Sequence, residues 1–330
     1  MRAITIADGT LVLAECDVPE PGAGQVLVRV HGAGCNRADL LQRAGHYPAP
    51  PGVPADVPGL EFAGVVEAAG PDVTHLAPGA RVFGIVAGGA QAEYLTVPAA
   101  HCAPVPDGLD LVAMGGVPEA FVTAHDAMVV QAGVRPGEWV LVHAVGSGVG
   151  TAAVQLAHAF GSPVVGTART ESKLARCRAL GLDAAIVAPT RDGGLDPDGL
   201  AFAVLEATGG HGADVTLDLL GGPYLPSSIA SAAPRGRIMC IGTIAGAKTT
   251  IPVVAMLGKR LQVTGTVLRA RDDAEKAQAT DAFTAAVVPL LATGEVAPVI
   301  DAVVPLAEAA SAYAMLASDA TFGKVVLDCR

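Results

Sequence analysis

A glycine-rich turn near the middle of the chain has residue types that suit the binding of a phosphate group. It consists of Gly146, Ser147, Gly148, Val149 and Gly150. Glycines allow the backbone to approach a pyrophosphate closely, and a helix that follows would offer the anion unpaired N–H groups and a partial positive charge. The spacing is G-x-G-x-G, whereas the stricter G-x-G-x-x-G pattern would place its third glycine at Thr151. The turn alone fits a dinucleotide site or an ordinary turn, so its surroundings must decide.

A predicted strand precedes this turn and a predicted helix follows it. Trp139–His143 alternates bulky apolar and β-branched residues, which is typical of a buried strand. From Thr151 to Phe160 the apolar residues recur at helical spacing, and Gly161 stands where such a helix would end. Strand, turn and helix together form the kind of unit that binds the pyrophosphate of a dinucleotide.

Further strands and helices alternate on the C-terminal side of this unit. The predicted strands are Val164–Ala168, Ala184–Val187, Val215–Leu219 and Arg237–Ile241. Helical segments separate them, and a helix over Phe121–Ala132 precedes the first strand of the series. Elements that alternate at this spacing predict an α/β fold with a parallel, doubly wound sheet.

The first third of the chain instead has short predicted strands between Gly and Pro residues, which is typical of an all-β unit. Its strands are Val26–Val30, Gly64–Ala68 and Arg81–Ile85. A short helix, Arg37–Ala44, interrupts them, with Asn36 placed to cap its N-terminus and Asp39 in its first turn. Mixed elements return after Leu257. These are a strand over Leu261–Val267, a long helix over Asp272–Leu291 and a final strand over Lys324–Asp328.

Composition excludes several classes of protein. The chain has 330 residues, of which 51% are hydrophobic and 16% charged, so it is globular and long enough for two domains. Its net charge of −11 argues against nucleic-acid binding, which needs a basic face. The stretch between Glu138 and Arg169 has no charged residue and is long enough to span a bilayer. Its glycines and polar residues instead favour a buried strand–helix–strand unit.

Two further features point to a cytoplasmic protein. The chain opens MRAITIADG, without the basic and apolar segments of a signal peptide. Its six cysteines are scattered and include no C-x-x-C pair, so neither a zinc knuckle nor a disulfide framework is expected. We expect reduced thiols.

Several motifs resemble those of one enzyme superfamily along nearly the whole chain. They are PGLEFAGVVEAAG (Pro58–Gly70), PGARVFG (Pro78–Gly84), GGAQAEYLTVP (Gly88–Pro98), VRPGEWVLVHAVGSGVGTAAVQLA (Val134–Ala157) and FGKVVLD (Phe322–Asp328). The chain resembles the medium-chain dehydrogenase/reductase superfamily and, within it, the zinc-free quinone oxidoreductases of the zeta-crystallin type. The segment NRADLLQRAGHYPAPPG (Asn36–Gly52) is most similar to the tumour-suppressor-inducible branch. The resemblance implies a Rossmann dinucleotide-binding domain over residues 115–255 and a split, β-rich, GroES-like catalytic domain over residues 1–114 and 256–330.

The resemblance also predicts the absence of zinc. The positions of the catalytic metal ligands in zinc-dependent relatives fall here on Asn36, Leu60 and Glu119. Leucine cannot bind a metal, and one amide with one carboxylate is a poor zinc site. The four-cysteine lobe of those relatives is absent between Val82 and Gln91.

For the cofactor, the resemblance points to NADPH. Relatives that prefer NAD carry an acidic residue at the end of the second strand, where this chain has Ala168, followed by Arg169 and Lys173. Basic groups suit a 2′-phosphate, although Arg and Lys are also common at an ordinary solvated helix start. Many quinone oxidoreductases have a tyrosine after the third strand, where this chain has Ala188-Pro189. Four further residues would lie near the nicotinamide: Gly242, Thr243, Leu268 and Arg269.

Asn36 and Tyr47 match substrate-side positions of the family. Asn36 could donate an amide N–H to a carbonyl oxygen that gains charge, or could simply cap its helix. Tyr47 could stack on a flat substrate, or fill a gap among prolines. No side-chain acid is evident, because a second tyrosine of some relatives is Leu41 here, and His46 is either a proton relay or a surface histidine.

The sequence therefore predicts an NADPH-dependent, zinc-independent reductase of quinones or other conjugated carbonyl compounds. An enoyl or 2-alkenal C=C reductase is one alternative, and an NADPH-binding structural or sensing protein with little turnover is another. The expected partners are a small-molecule acceptor and a second copy of the chain, paired through the apolar, β-branched edge strand Leu261–Val267. No nucleic acid or membrane partner is expected.

Overall fold

The computed structural model describes all residues, Met1–Arg330, and divides into two compact units. The first comprises Met1–Thr123 and Leu268–Arg330, and the second comprises Ala124–Val267. The split of the first unit between the two ends of the chain is thus present. The second unit extends beyond residue 255, because the strand after that point pairs within its sheet.

Seventeen strands form four sheets. They are β1 (Arg2–Ala7), β2 (Thr10–Glu15), β3 (Gln25–Cys35), β4 (Glu61–Ala69), β5 (Arg81–Ile85), β6 (Tyr94–Pro98), β7 (Cys102–Pro104), β8 (Val140–Val142), β9 (Val164–Ala168), β10 (Ala184–Val187), β11 (Thr190–Arg191), β12 (Gly194–Leu195), β13 (Ala213–Asp218), β14 (Ala232–Cys240), β15 (Gln262–Gly265), β16 (Ile300–Pro305) and β17 (Lys324–Asp328).

Eleven α-helices connect the strands. They are α1 (Arg37–Arg43), α2 (Leu111–Met114), α3 (Pro118–His125), α4 (Gly148–Ala159), α5 (Glu171–Arg178), α6 (Pro197–Ala207), α7 (Tyr224–Ser231), α8 (Val253–Lys259), α9 (Asp273–Ala286), α10 (Val288–Thr293) and α11 (Ala309–Ala317). A π-helical segment, Asp126–Gln131, follows α3, and two 3-10 turns lie at Ala99–His101 and Leu306–Glu308.

The second unit is built on six parallel strands in the spatial order β10-β9-β8-β13-β14-β15. This is the Rossmann order, in which the strand order reverses between the first and fourth strands of the sheet, here β8 and β13. The predicted doubly wound parallel sheet is confirmed, and the bounds of β9 and β10 match the predicted ones. Ligands of such folds bind at the carboxyl ends of the strands, where the glycine-rich turn lies.

The first unit contains a seven-stranded sheet in the order β16-β17-β3-β4-β5-β7, with β6 also paired to β3. The C-terminal strand β17 pairs antiparallel with β3, and the pairing places Val325 opposite Cys35. This register joins the two ends of the chain in one sheet. A core of buried residues that includes Val28, Phe62 and Tyr313 packs against it.

The longest predicted helix is interrupted in the structure. The long helix over Asp272–Leu291 is in fact α9 and α10, which meet at Val287, and Pro289 lies in the first turn of α10. A proline inside a helix removes one hydrogen bond and clashes with the preceding turn, which explains the break. The charge-free stretch contains β8, the twelve-residue helix α4 and β9. No helix in the structure has both the length and the apolar character needed to span a membrane.

Candidate active site

The glycine-rich turn leads from β8 into α4, and Ser147 is the N-cap of that helix. The Ser147 Oγ accepts a hydrogen bond from the Gly150 N–H at 3.1 Å, which leaves its hydroxyl hydrogen free to donate to a ligand. A Cβ at Gly150 would lie 2.5 Å from the Ala144 carbonyl oxygen, so glycine is required for α4 to pack this closely against the turn. Because the first N–H groups of a helix lack partners within it, those of Gly148 and Val149 suit a pyrophosphate.

The end of β9 carries no carboxylate. Ala168 is buried, and Arg169 follows it as an exposed residue with Lys173 half-buried in the next helix. The Arg169 charge acts on the Tyr224 phenol, where it opposes a rise in pKa that burial causes. The acidic residue of this segment, Glu171, is paired with Arg178 at 2.8 Å. The segment that follows β9 therefore carries two basic residues, and its one acidic residue is paired within α5.

Gly242 and Thr243 follow the carboxyl end of β14. They line a cavity of about 370 Å³ at the carboxyl ends of β14 and β15, together with Cys240, Thr266 and Val267. The structure thus places these two predicted cofactor residues at the ligand-binding edge of the parallel sheet. Leu268 and Arg269 belong to the first unit and are buried.

Arg269 holds the loop that contains Tyr47. Its guanidinium donates to the carbonyl oxygens of Ala87 at 2.7 Å and Tyr47 at 3.0 Å, and to the Gln42 side chain at 2.7 Å. It also lies over the Tyr47 ring, 4.5 Å from its centroid. Two residues predicted for different roles are therefore in contact, and Arg269 positions Tyr47 in the structure. A contact of Arg269 with the cofactor stays a prediction.

Asn36 belongs to a buried ion-pair network. Glu61 is completely buried, and its carboxylate pairs with the Lys324 ammonium at 2.5 Å. The Asn36 amide donates to the same carboxylate at 2.9 Å and to the Gly34 carbonyl at 3.3 Å, and its oxygen accepts from Lys324 at 2.6 Å. Both amide hydrogens are thus donated within the protein. Asn36 is at the N-cap of α1, as predicted, but it has no unused N–H for a substrate carbonyl.

The absence of a side chain at Gly34 leaves space for this network. A Cβ at Gly34 would lie 2.2 Å from the Glu61 Oε1 atom, so only glycine leaves space for the carboxylate. The other carboxylate oxygen accepts from the Glu119 backbone N–H at 2.8 Å. Lys324 also donates to the Cys35 carbonyl at 3.0 Å. Every polar atom of the Glu61 and Lys324 side chains therefore has a partner.

The metal-ligand positions of zinc-dependent relatives are in the first unit. Leu60 is 2% exposed, and Glu119 is partly buried. The Asn36 side chain is hydrogen-bonded to Glu61 and Lys324. The structure contains no group of three or more His, Cys, Asp or Glu residues that could hold a metal ion. The prediction of a zinc-independent enzyme continues to rest on the residue types at these positions.

Glu61 and Lys324 are site residues that the sequence analysis did not single out. Their signal is a charged residue in an apolar strand segment, as in PGLEFAG and FGKVVLD. Asp39, predicted only as an acidic residue in the first turn of α1, accepts a hydrogen bond from the Asn36 backbone N–H at 2.7 Å. Burial raises the pKa of Asp39 to about 7. Burial, reinforced by the charge of Glu61, raises the pKa of Glu119 to about 8.

His143 is completely buried in the second unit. Its ring nitrogens are 2.9 Å from the hydroxyls of Thr167 and Ser228, and burial lowers its pKa to about 4. The ring also meets Tyr224 edge to face. A neutral, completely buried histidine with a partner at both ring nitrogens is a core residue.

Two family models match the chain. "Alcohol dehydrogenase GroES-like domain" covers residues 22–107, and "Zinc-binding dehydrogenase" covers residues 148–285. The chain is 35% identical over 328 residues to a 2-haloacrylate reductase of Burkholderia, and 32% identical over 311 residues to a quinone oxidoreductase of Pseudomonas aeruginosa. These alignments cover 96% and 93% of the chain, and 94% and 92% of the two relatives.

The chain is also similar to segments of much longer proteins. It is 41% identical over 243 residues to a pikromycin polyketide synthase component of Streptomyces venezuelae, and 42% identical over 227 residues to an erythronolide synthase of Saccharopolyspora erythraea. These alignments cover 73% and 68% of the chain but only 6% of each synthase.

Solved structures show the same fold over nearly the whole chain. A mycobacterial protein solved in complex with NADPH superimposes with a TM-score of 0.86 at 28% identity, and 99% of each chain is covered. A 2-haloacrylate reductase gives a TM-score of 0.81 at 30% identity, with 99% of this chain and 98% of the other covered.

Proposed function

This chain belongs to the medium-chain dehydrogenase/reductase superfamily and is a quinone oxidoreductase-like oxidoreductase, and from that premise we propose that it uses NADPH, without zinc, to reduce a quinone or another conjugated carbonyl compound. One observation carries the proposal. The Ser147-capped helix α4 presents its N-terminus at the glycine turn, and the next strand ends at Ala168, followed by Arg169, rather than at an acidic residue.

Within the second unit, the residues have distinct tasks. The N–H groups of Gly148 and Val149 and the Ser147 hydroxyl would bind the pyrophosphate, while Arg169 and Lys173 would attract the 2′-phosphate. Gly242 and Thr243 would border the nicotinamide. Bound NADPH would supply the hydride, and the protein would contribute binding, orientation and electrostatics.

Within the first unit, Tyr47 is the residue most suited to a flat acceptor. Arg269 fixes its ring and backbone, so that the aromatic face is presented at little conformational cost. Burial raises the pKa of the Tyr47 phenol, which keeps it neutral and able to donate a hydrogen bond. We propose that Asn36 acts indirectly, by orienting Glu61 and Lys324.

A direct test is stopped-flow mixing of the purified protein with NADPH and a small quinone. We expect NADPH absorbance to decay faster than in buffer. A parallel test with a 2-alkenal examines C=C reduction, which the similarity to a 2-haloacrylate reductase favours as a second candidate. Tight NADPH binding without turnover of either acceptor would instead favour a structural or sensing role.

The zinc-independent mechanism can be tested on the same protein. Elemental analysis should find no stoichiometric zinc, and turnover should survive treatment with a chelator. Loss of activity on chelation, with recovery when zinc is added, would contradict the proposal.

Replacing Arg169 by alanine should weaken NADPH binding selectively. A charge-assisted hydrogen bond contributes about 1.5–3 kcal/mol, so we expect the Kd for NADPH to rise by roughly 10- to 100-fold while that for NADH changes little. Fluorescence titration with both nucleotides measures this difference. Arg135→Ala, which removes an exposed arginine from the loop before β8, is the matched control. Equal losses for the two nucleotides would show that Arg169 does not contact the 2′-phosphate.

We also propose that the chain forms a homodimer through the edge of the parallel sheet. β15 is the last strand of that sheet, and the neighbouring helix α8 exposes Val254 and Leu257, which are 83% and 72% accessible. An unpaired edge beside exposed apolar side chains favours pairing with a second copy. A monomer mass by light scattering at micromolar concentration would overturn this proposal.

A further inference from the structure

A buried polar cluster lies at the carboxyl ends of β8 and β9, within the second unit. His143 directly follows β8, and its ring nitrogens are bonded to Thr167 on β9 and Ser228 on α7. Tyr224, the first residue of α7, meets the His143 ring edge to face, with the ring centroids 5.0 Å apart. All four residues are buried, and Tyr224 is the most exposed of them at 8%. The cluster therefore lies at the edge of the sheet where Rossmann folds bind their ligands.

Three side chains of this cluster use all their polar hydrogens within it. The Ser228 hydroxyl donates its one hydrogen to the Tyr224 carbonyl oxygen at 3.0 Å, so its oxygen accepts from the His143 Nε2–H. Because burial lowers the pKa of His143 to about 4, the ring is neutral and has no second N–H. Its Nδ1 atom is therefore an acceptor, and the Thr167 hydroxyl donates to it. None of the three has a hydrogen left for a ligand.

The Tyr224 hydroxyl differs from these three. It forms no hydrogen bond in the structure, and its oxygen is not among the side-chain atoms that are buried without a partner, so this oxygen reaches the surface. Burial raises the pKa of the phenol, so the hydroxyl keeps its proton at neutral pH and can donate it. A tyrosine with a buried ring and an accessible hydroxyl is suited to bind a hydrogen-bond acceptor at this edge.

Contacts on both sides of the Tyr224 ring fix its direction. The Tyr224 N–H donates to the Gly221 carbonyl oxygen at 3.1 Å, and the Tyr224 carbonyl oxygen accepts from the Ser227 hydroxyl at 2.7 Å. The ring packs in one core with residues of β8, β9 and β10, among them Val165 of β9. The side chain therefore extends from α7 past His143 toward the end of β9, and little conformational freedom remains to be lost on binding.

The end of β9 carries a positive charge. Arg169 directly follows the last residue of the strand, two positions after Thr167, and is exposed. Its charge opposes the rise in the pKa of Tyr224 that burial causes, as a cation on the phenol side of the ring would. In Rossmann folds the end of the second strand faces the adenosine ribose, where an arginine accommodates a 2′-phosphate. A hydroxyl donor and a guanidinium together suit a phosphate dianion.

We propose that the Tyr224 hydroxyl donates a hydrogen bond to the 2′-phosphate of NADPH and, together with Arg169, determines the preference for NADPH over NADH. This inference rests on the proposed function and adds to it a residue that determines cofactor specificity. NADH carries an uncharged hydroxyl in place of the phosphate, so it gains less from this donor. His143 is a positioning residue, which supports the Tyr224 ring and contacts no ligand.

The test uses two nucleotide fragments that differ in the 2′-phosphate, adenosine 2′,5′-bisphosphate and adenosine 5′-monophosphate. Calorimetric titration of the full chain gives the Kd for each. Tyr224→Phe removes the phenolic oxygen and keeps the ring that packs against His143. We expect the Kd of the bisphosphate to rise roughly 10- to 100-fold, as for a lost hydrogen bond to a charged group, and that of the monophosphate to stay within about twofold.

Tyr94→Phe, the same change on β6 of the first unit, is the matched control and should leave both Kd values as in the wild type. Thermal unfolding verifies that both variants are folded. Titrations with NADPH and NADH should show the same selective loss in Tyr224→Phe.

Phosphorus NMR of the bound bisphosphate is a second readout, which a purely structural role of Tyr224 would not change. A donated hydrogen bond stabilises the phosphate dianion, so the pKa of the bound 2′-phosphate should be lower on the wild-type protein than on Tyr224→Phe. Equal values on the two proteins would contradict the proposed contact.

Different results would overturn the two proposals. A wild-type protein that binds both fragments equally contradicts the proposed use of NADPH, and the role of Tyr224 falls with it. If Arg169→Ala loses the preference for the bisphosphate and Tyr224→Phe retains it, the role of Tyr224 alone is overturned. Equal losses for the two fragments in Tyr224→Phe would also overturn it, because the hydroxyl would then support the pocket without contacting the phosphate.

Discussion

Replacing Ser147 by aspartate should weaken NADPH binding by about 100-fold or more while the protein remains folded. Aspartate is as good an N-cap as serine, so it can accept the Gly150 N–H in the same way. The change nevertheless places a negative charge where the pyrophosphate is expected. Two like charges about 4 Å apart repel by roughly 4 kcal/mol at the effective dielectric constant of a protein surface, which exceeds the 2.7 kcal/mol that corresponds to 100-fold.

Ser147→Asn is the matched control, because asparagine caps equally well and has nearly the shape of aspartate without its charge. Calorimetric or fluorescence titration gives the two Kd values, and thermal unfolding verifies that both variants are folded. If aspartate and asparagine bind NADPH equally well, the pyrophosphate does not lie at the N-terminus of α4, and the proposed cofactor site is misplaced.

Replacing Lys324 by methionine should lower the free energy of unfolding of the first unit by about 3–5 kcal/mol, because it leaves the Glu61 carboxylate buried without a counter-charge. Methionine retains most of the length of the lysine stem, so little of the loss comes from a cavity. Urea unfolding, followed by a probe in the first unit, measures the change. Lys248→Met, at an exposed position, should change stability by less than about 0.5 kcal/mol.

A second substitution distinguishes charge from packing. Glu61→Gln in the Lys324→Met background removes the unpaired charge, and we expect it to restore part of the lost stability. Because the two residues are in contact, their effects should be strongly non-additive. Purely additive losses would mean that the pair stabilises the unit through shape rather than through charge.

The parallel sheet could be predicted from the sequence because its signals are local. Each strand, such as Val164–Ala168, is a short buried run that Gly or a helix bounds, and the connections allow few topologies. The cap at Asn36 and the packing role of Gly150 also follow from neighbouring residues. The break between α9 and α10 is the exception, since Pro289 is visible in the sequence but the apolar pattern continues past it.

The polar network of the first unit could not be predicted in this way. Lys324 meets Asn36 across a separation of 288 residues, through the antiparallel pairing of β17 with β3. Local patterns do not encode that register, and a lysine at the start of a strand is usually solvated. The elevated pKa of Glu119 depends on burial and on the same tertiary contacts, so no local pattern in the sequence predicts it.

The close contact between Gly34 and Glu61 should restrict how these positions change during evolution. A Cβ there would overlap the Glu61 carboxylate and would also lie 2.7 Å from the Gly115 carbonyl oxygen, so position 34 cannot gain a side chain while Glu61 is retained. Descendants that acquire a larger residue at 34 should have already lost the acid at 61, and with it the need for Lys324. Covariation of these three positions across an alignment of relatives would therefore record the gain or loss of the buried charge, even in proteins whose reactions have diverged.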